Sequence, residues 1–232
     1  MVNMTTTDNI HEPGNLDREY GNRCPEFYSP LMAEVIRYGK PGPILDLGAG
    51  LGLFVELGLT WGLDIIGLEG SEHAVEVASA RYPGIDIRVH DLGEPLPFED
   101  GMMANIVLNQ VIEHLDYWRQ RKVLSDIFRI LAPGGRLFIT SPSRKNRIER
   151  QDPTHINMLL PSELRQQVES EGFMVVSEPN YGFFLGGSGS RVIGFLADML
   201  LRLFPHDLFS ATANIIGEKP CQQAVHAQKN VV

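Results

Sequence analysis

The chain has 232 residues, with 20 Lys and Arg against 29 Asp and Glu, for a formal charge of −9. That length fits one large α/β domain and buries enough surface to fold without disulfides or metal staples. The acidic balance argues against non-specific nucleic-acid binding, which needs a basic stripe to neutralise phosphates. Its two cysteines, Cys24 and Cys221, are far apart and form neither a CxxC pair nor a metal-ligand spacing.

Residues 1–20 are polar and lack an apolar or basic leader pattern, so a cytoplasmic protein is expected. Residues 1–25 read as an arm, followed by a helix over about 29–38 that Gly39 and the PGP at 41–43 end. The arm and helix, 1–40, form an expected cap. The run PILDL (43–47) suits a buried parallel strand. A helix starts at 51–57 and stops by Gly58. DIIGLE (64–69) is a second strand, and Ser71 caps a helix over 71–82. IDIRVHD (85–91) and ANIVLNQ (104–110) are the third and fourth strands.

A helix follows at 117–131, with Pro133-Gly134-Gly135 as a sharp stop and turn before a fifth strand, RLFITSP (136–142). Residues 143–158 read as a polar surface loop. A helix over 161–172 has Pro at its start and Gly at its end. FMVVSE (173–178) and ATANIIGEK (211–219) read as the last strands. Strand–helix alternation over 43–142 requires right-handed crossovers and a parallel sheet. One domain over 41–219 is expected, with an insertion at 180–210 and a tail at 220–232. Within the insertion, VIGFLADMLLRLF (192–204) is too short to span a membrane and is interrupted by Asp198 and Arg202. It reads as an amphipathic helix packed on the body, or as a lid or weak membrane-surface helix.

The most informative stretch is ILDLGAGLG (44–52). Gly48, Gly50 and Gly52 alternate behind Asp46 at the carboxyl end of the first strand. Such a turn lets backbone approach a ligand closely. It is not the dinucleotide fingerprint, whose third glycine would fall at Leu53 or Val55. A nicotinamide dehydrogenase is therefore disfavoured. A carboxylate behind the turn suits a zwitterionic or cationic cofactor better than a phosphate. Glu69, ending the second strand, has the chemistry to take both hydroxyls of a ribose. Asp91, ending the third strand, can accept from an adenine amine.

These residues resemble a known family. ILDLGAGLG, IIGLEGS (65–71), HDLGEPLPFEDGMMANIVLNQVIEHL (90–115) and LAPGGRLFITSPS (131–143) look like the successive motifs of class I S-adenosylmethionine-dependent methyltransferases. The branch that they resemble most includes the ubiquinone and menaquinone biosynthesis methyltransferases, and DPTHINMLLPSEL (152–164) also suits it. The resemblance implies a Rossmann-like α/β fold with a seven-stranded, mostly parallel sheet in the order 3-2-1-4-5-7-6, strand 7 antiparallel. It implies S-adenosyl-L-methionine as cofactor. Asp46 and the backbone of Gly48, Ala49, Gly50 and Gly52 would border its methionine part. Glu69 and Gly70 would meet the ribose, Asp91 and Leu92 the adenine. Asn109 would lie under the transferable methyl with Gln110 beside it. Asn105 departs from the family, which usually has Asp there.

Methyl transfer to an O, N or C nucleophile of a small molecule is the expected function, by a monomer or homodimer with no nucleic-acid partner. His155 and His114 are the candidate bases, though each also reads as a packing or capping residue. Tyr20, Tyr28 and Tyr181 read as packing residues or as an aromatic lid. Glu113, His114 and His155 resemble part of the metal site of small-RNA 2′-O-methyltransferases. That family has Glu where this chain has Gln110, so no metal is expected. A cofactor-binding module without catalysis remains the alternative from another class, with a metal-assisted RNA 2′-O-methyltransferase the less favoured one.

Overall fold

The computed structural model of the chain describes residues 24–179 and 210–221. Helix α1 (Pro25–Tyr38) leads into β1 (Ile44–Leu47), α2 (Leu53–Thr60), β2 (Ile65–Glu69), α3 (Glu72–Arg81) and β3 (Ile87–Val89). Strand β4 (Met103–Asn109) and a 3₁₀ turn (Ile112–His114) precede α4 (Tyr117–Ile130) and β5 (Leu131–Pro142). A second 3₁₀ turn (Glu149–Gln151), α5 (Pro161–Ser170), β6 (Met174–Ser177) and β7 (Thr212–Glu218) complete the order. The seven strands form one sheet ordered β3-β2-β1-β4-β5-β7-β6. β7 runs antiparallel to both of its neighbours, and the other pairings are parallel. This is the expected fold class.

Successive residues of a strand point to opposite faces, so a sheet covered on both sides needs apolar residues at every position. The inner strands meet that demand at most positions, with Asp46, Asn105, Thr140 and Asn214 as buried polar exceptions. Leu45, Leu47, Ile106, Leu108, Leu137, Ile139 and Ile215 join one buried cluster with α4 and α5. Ile44, Val107, Phe138 and Ile216, one residue out of phase, join the other with α1 and α2. Phe54 and Phe138 are among the largest fully buried side chains. Truncating either to Ala is worth about 3–5 kcal/mol.

Four local expectations are corrected. Helix α1 begins at Pro25 rather than 29, because Pro25 fits the first helical position and the extra turn buries Tyr28 against Phe54. Gly58 does not stop α2, which runs to Thr60. A side chain there would sit 2.9 Å from Ile65 Cγ2, so the glycine serves helix–sheet packing. Pro133-Gly134-Gly135 is not a turn between α4 and a later strand. β5 runs through it, with Gly134 N–H donating to the Lys219 carbonyl at 2.7 Å and a register shift against β4. β3 stops at Val89, so Asp91 lies past its end. The family departure at Asn105 also has a physical reason. This buried amide accepts from Lys40 N–H and donates to the Lys40 carbonyl, both at 2.8 Å, tying the exit of α1 to β4. An aspartate can only accept.

Ser71 caps α3 as expected, accepting from Ala74 N–H. The amphipathic run 192–204, Tyr20, Tyr181 and the tail beyond Cys221 lie outside the described residues. Among the described residues, no helix is long and apolar enough to cross a membrane.

Candidate active site

The carboxyl ends of β1, β2 and β4 converge, and the chain after β1 turns there through Gly48, Gly50 and Gly52, all at positive φ (74°, 55° and 74°). Gly48 and Ala49 donate their N–H groups to the Leu68 carbonyl at 2.8 and 3.0 Å, which holds the loop over β2. Gly48 has a second reason to be glycine. A Cβ there would fall 2.4 Å from Val111 Cγ2, on the turn that follows β4. The loop and that turn are therefore in direct contact.

Glu69 closes the cradle from β2. Its buried carboxylate accepts from Gly50 N–H at 2.8 Å and from Ser71 N–H at 3.0 Å. Gly70 beside it is exposed. Asp46 is 3 % exposed at the base of the loop. Its carboxyl is pushed up to about 7, first by burial and second by the charge of Glu69. Two carboxylates thus face a cradle otherwise made of backbone, which favours a ligand carrying positive charge. Asp91 is exposed and folds back to accept from Gly93 N–H at 2.7 Å, while Leu92 is half-buried against the core. His90 N–H donates to the Glu69 carbonyl at 2.8 Å, so the 90–92 segment is anchored beside the cradle.

At the end of β4 the cradle meets a cavity of about 300 Å³. Asn109, Gln110, Thr140, Thr212 and Asn214 form its polar side, Phe27 and Pro30 of α1 its apolar side, and Glu149 lies on its wall. Thr140 donates its hydroxyl to Asn109 Oδ1. Asn214 is 5 % exposed. Its amide donates to the Pro179 carbonyl and to Thr212 Oγ1, both at 2.9 Å. Gln110 has φ +57°, the only non-glycine residue at positive φ among the described residues, and its N–H donates to the Thr140 carbonyl at 2.8 Å. An unfavourable backbone held at a cavity rim is the kind of strain that functional sites retain.

The structure brings Asp46, Gly48, Ala49, Gly50, Gly52, Glu69 and Asn109 to one end of the sheet. His114 and His155 are not among the residues lining the cavity. They pack on each other behind it, with ring centroids 4.8 Å apart, and His155 Nδ1 lies 2.8 Å from the backbone carbonyl of Glu149. Sequence reasoning missed Thr140, Asn214 and the backbone of Gln110. A signal existed: Asn109, Thr140 and Asn214 are polar residues beside apolar runs of β4, β5 and β7, and they pair in register across the three strands. Positive φ at a glutamine leaves no such trace.

A methyltransferase domain family model matches residues 18–178. A Mycolicibacterium smegmatis protein named "Probable S-adenosylmethionine-dependent methyltransferase" is 37% identical over 147 residues, 62% of this chain and 55% of that protein. The chain thus spans about half the length of the curated relatives it matches. Among solved structures, a SAM dependent methyltransferase from Archaeoglobus fulgidus superposes with a TM-score of 0.66 at 21% identity, covering 90% of this chain and 100% of that one. Phosphoethanolamine N-methyltransferase 2 of Haemonchus contortus, solved with S-adenosyl-L-methionine, gives 0.66 at 17% identity over 93% of this chain and 60% of its own. The fold, the alternating-glycine loop and the family match over most of its length agree: the chain belongs to the class I S-adenosylmethionine-dependent methyltransferases.

Proposed function

We propose that this chain transfers the methyl group of S-adenosyl-L-methionine to a nucleophilic O, N or C atom of an uncharged or cationic small molecule. The observation that carries the acceptor class is the lining of the cavity at the end of β4. It offers amides, hydroxyls and one carboxylate, and among its described residues no Lys or Arg. Among the described residues, such a wall supplies hydrogen-bond donors but no cationic side chain to offset the charge of a phosphate or carboxylate.

In this reading the cofactor's positive charge stands near Asp46 and the glycine loop, its ribose at Glu69 and its adenine by Asp91 and Leu92. Asn109 then marks the methyl-facing side. The sulfonium carbon is already activated by its leaving group. The protein's contribution is to align the nucleophile about 3 Å from that carbon and to exclude water. Gln110, fixed by its strained backbone, and the Asn109–Thr140 pair supply that alignment. His155 acts from behind the wall by holding the Glu149 backbone.

The test pairs calorimetry on S-adenosylhomocysteine with a methyl-transfer assay on a panel of phenols, amines, matched carboxylic acids and tRNA transcripts. Cofactor binding with turnover restricted to uncharged or cationic small molecules is expected. Turnover of tRNA or of the acids overturns the acceptor class. Binding with no turnover of any substrate favours a non-catalytic module.

A further inference from the structure

Behind the cavity wall, Glu113, His114 and His155 converge so that one ligand atom from each lies within 4.8 Å of the others. Glu113 and His114 belong to the 3₁₀ turn after β4, and His155 to the segment before α5, so the convergence is tertiary rather than local. We propose that these three side chains bind one first-row divalent cation of the zinc class, through a Glu113 carboxylate oxygen and the Nε2 atoms of His114 and His155.

Three observations carry the assignment. First, the orientation of both imidazoles is set from behind. His114 Nδ1 lies 3.1 Å from the Thr154 carbonyl and His155 Nδ1 lies 2.8 Å from the Glu149 carbonyl. A carbonyl only accepts, so each Nδ1 carries a proton, and the neutral form of each ring offers Nε2 to an ion. This outer arrangement is what metal-ligating histidines almost always have. Second, the carboxylate is fully buried, with 0 % of Glu113 exposed. A buried carboxylate beside two imidazoles is a donor set that one ion can share. Third, the two segments are already clamped. Asn157 N–H donates to the Glu113 carbonyl at 3.0 Å, and the buried Gln120 amide donates to the Ile112 and Asn157 carbonyls at 2.7 and 3.0 Å. Ligand-bearing segments fixed in this way leave little ordering to be done on binding.

The donor set chooses the metal. Two imidazoles with one carboxylate suit zinc, cobalt, nickel or iron, whereas magnesium and calcium prefer oxygen alone. Bonds of about 2.0–2.2 Å to one ion bring ligand atoms within roughly 3–4 Å of each other, so the three close in by about an ångström on binding. Three protein ligands leave a fourth position for water. The ion ties the turn that carries Val111, and so the contact with Gly48, to the loop that carries Glu149. It acts as a brace for the cavity wall, and its binding does not depend on the identity of the acceptor.

The test uses the untagged full chain, stripped with chelator and titrated with Zn²⁺ and with Co²⁺. One ion per chain is expected at a Kd of ~10 µM or tighter, with saturating Co²⁺ absorption bands. At about a hundredfold excess over Kd the melting temperature should rise by roughly 5–10 °C. His155→Gln and His114→Gln should each weaken binding at least ~100-fold while far-ultraviolet circular dichroism and S-adenosylhomocysteine binding are retained. Should a variant fail to fold, the wild-type stoichiometry and Co²⁺ spectrum decide alone. Sub-stoichiometric binding, a Kd above about 1 mM, or folded variants that bind as tightly as wild type overturn the site.

Discussion

Asp46 gives the sharpest quantitative prediction. Its carboxyl stands at about 7 in the fold, against an ordinary 3.8. At ~1.4 kcal/mol per tenfold change in affinity for the proton, that displacement amounts to about 4 kcal/mol. A carboxyl raised on folding makes the native state hold the extra proton. Its contribution is therefore intact below about pH 4, falls away as pH rises, and is wholly lost above about pH 7. Asp46→Asn mimics the protonated form at every pH. Its stability relative to wild type should be near zero at pH 4 and climb to about 4 kcal/mol by pH 8. In urea, with a slope of about 2 kcal/mol per molar, the midpoints of the two proteins should separate by roughly 2 M at the alkaline end. Carboxylates other than the coupled Glu69 titrate alike in both proteins and cancel in the difference. Glu69→Gln removes the second cause and leaves burial, so it should flatten the wild-type slope without abolishing it. A difference between Asp46→Asn and wild type that stays constant from pH 4 to 8 would refute the reasoning.

Glu69→Ala loses the groups that accept from Gly50 and Ser71 as well as those assigned to the ribose, and calorimetry should show S-adenosylhomocysteine binding weaker by about 1.5–3 kcal/mol; unchanged affinity removes Glu69 from the cofactor site. Gly48→Ala meets Val111 and a positive φ, so thermal melts should show a loss of about 2–4 kcal/mol. The double variant with Val111→Ala should recover the steric part only, and no recovery would mean that the contact is not the cause. Gln110→Gly should raise stability by about 1 kcal/mol, because glycine adopts the observed φ without strain, while lowering kcat. A stability gain with unaltered kcat would make the strain incidental.

Much of this molecule is legible in its sequence, for reasons that differ by element. The inner strands declare themselves because burial on both faces favours apolar residues there, as in ILDL, where Asp46 is the exception. The glycine loop after β1 is legible because positive φ and close backbone approach restrict the residue type to glycine. Gly58 and Gly135 mislead for the same reason. Glycine marks close packing as well as turns, and only the positions of Ile65 and of the Ala104 carbonyl show which applies. Helix α1 starts early because burial of Tyr28 depends on Phe54, twenty-six residues away in sequence. The cavity wall is the least legible part. Asn109, Thr140 and Asn214 meet there only through the sheet order, in which β7 enters between β5 and β6.

That reversed strand has a further consequence. Because β7 runs against its neighbours, the chain leaves β6 at Ser177 and enters β7 at Thr212 on the same edge of the sheet as Gly48 and Asn109. A parallel seventh strand would need a crossover that returned the chain to the opposite edge. A hairpin-like connection also tolerates growth, since doubling a flexible loop adds only about 0.6 kcal/mol of closure entropy. Thus this topology returns the chain from β6 to β7 at the same sheet edge as the glycine loop and Asn109. The length of chain between Ser177 and Thr212 can therefore change while the register of the seven strands stays as it is.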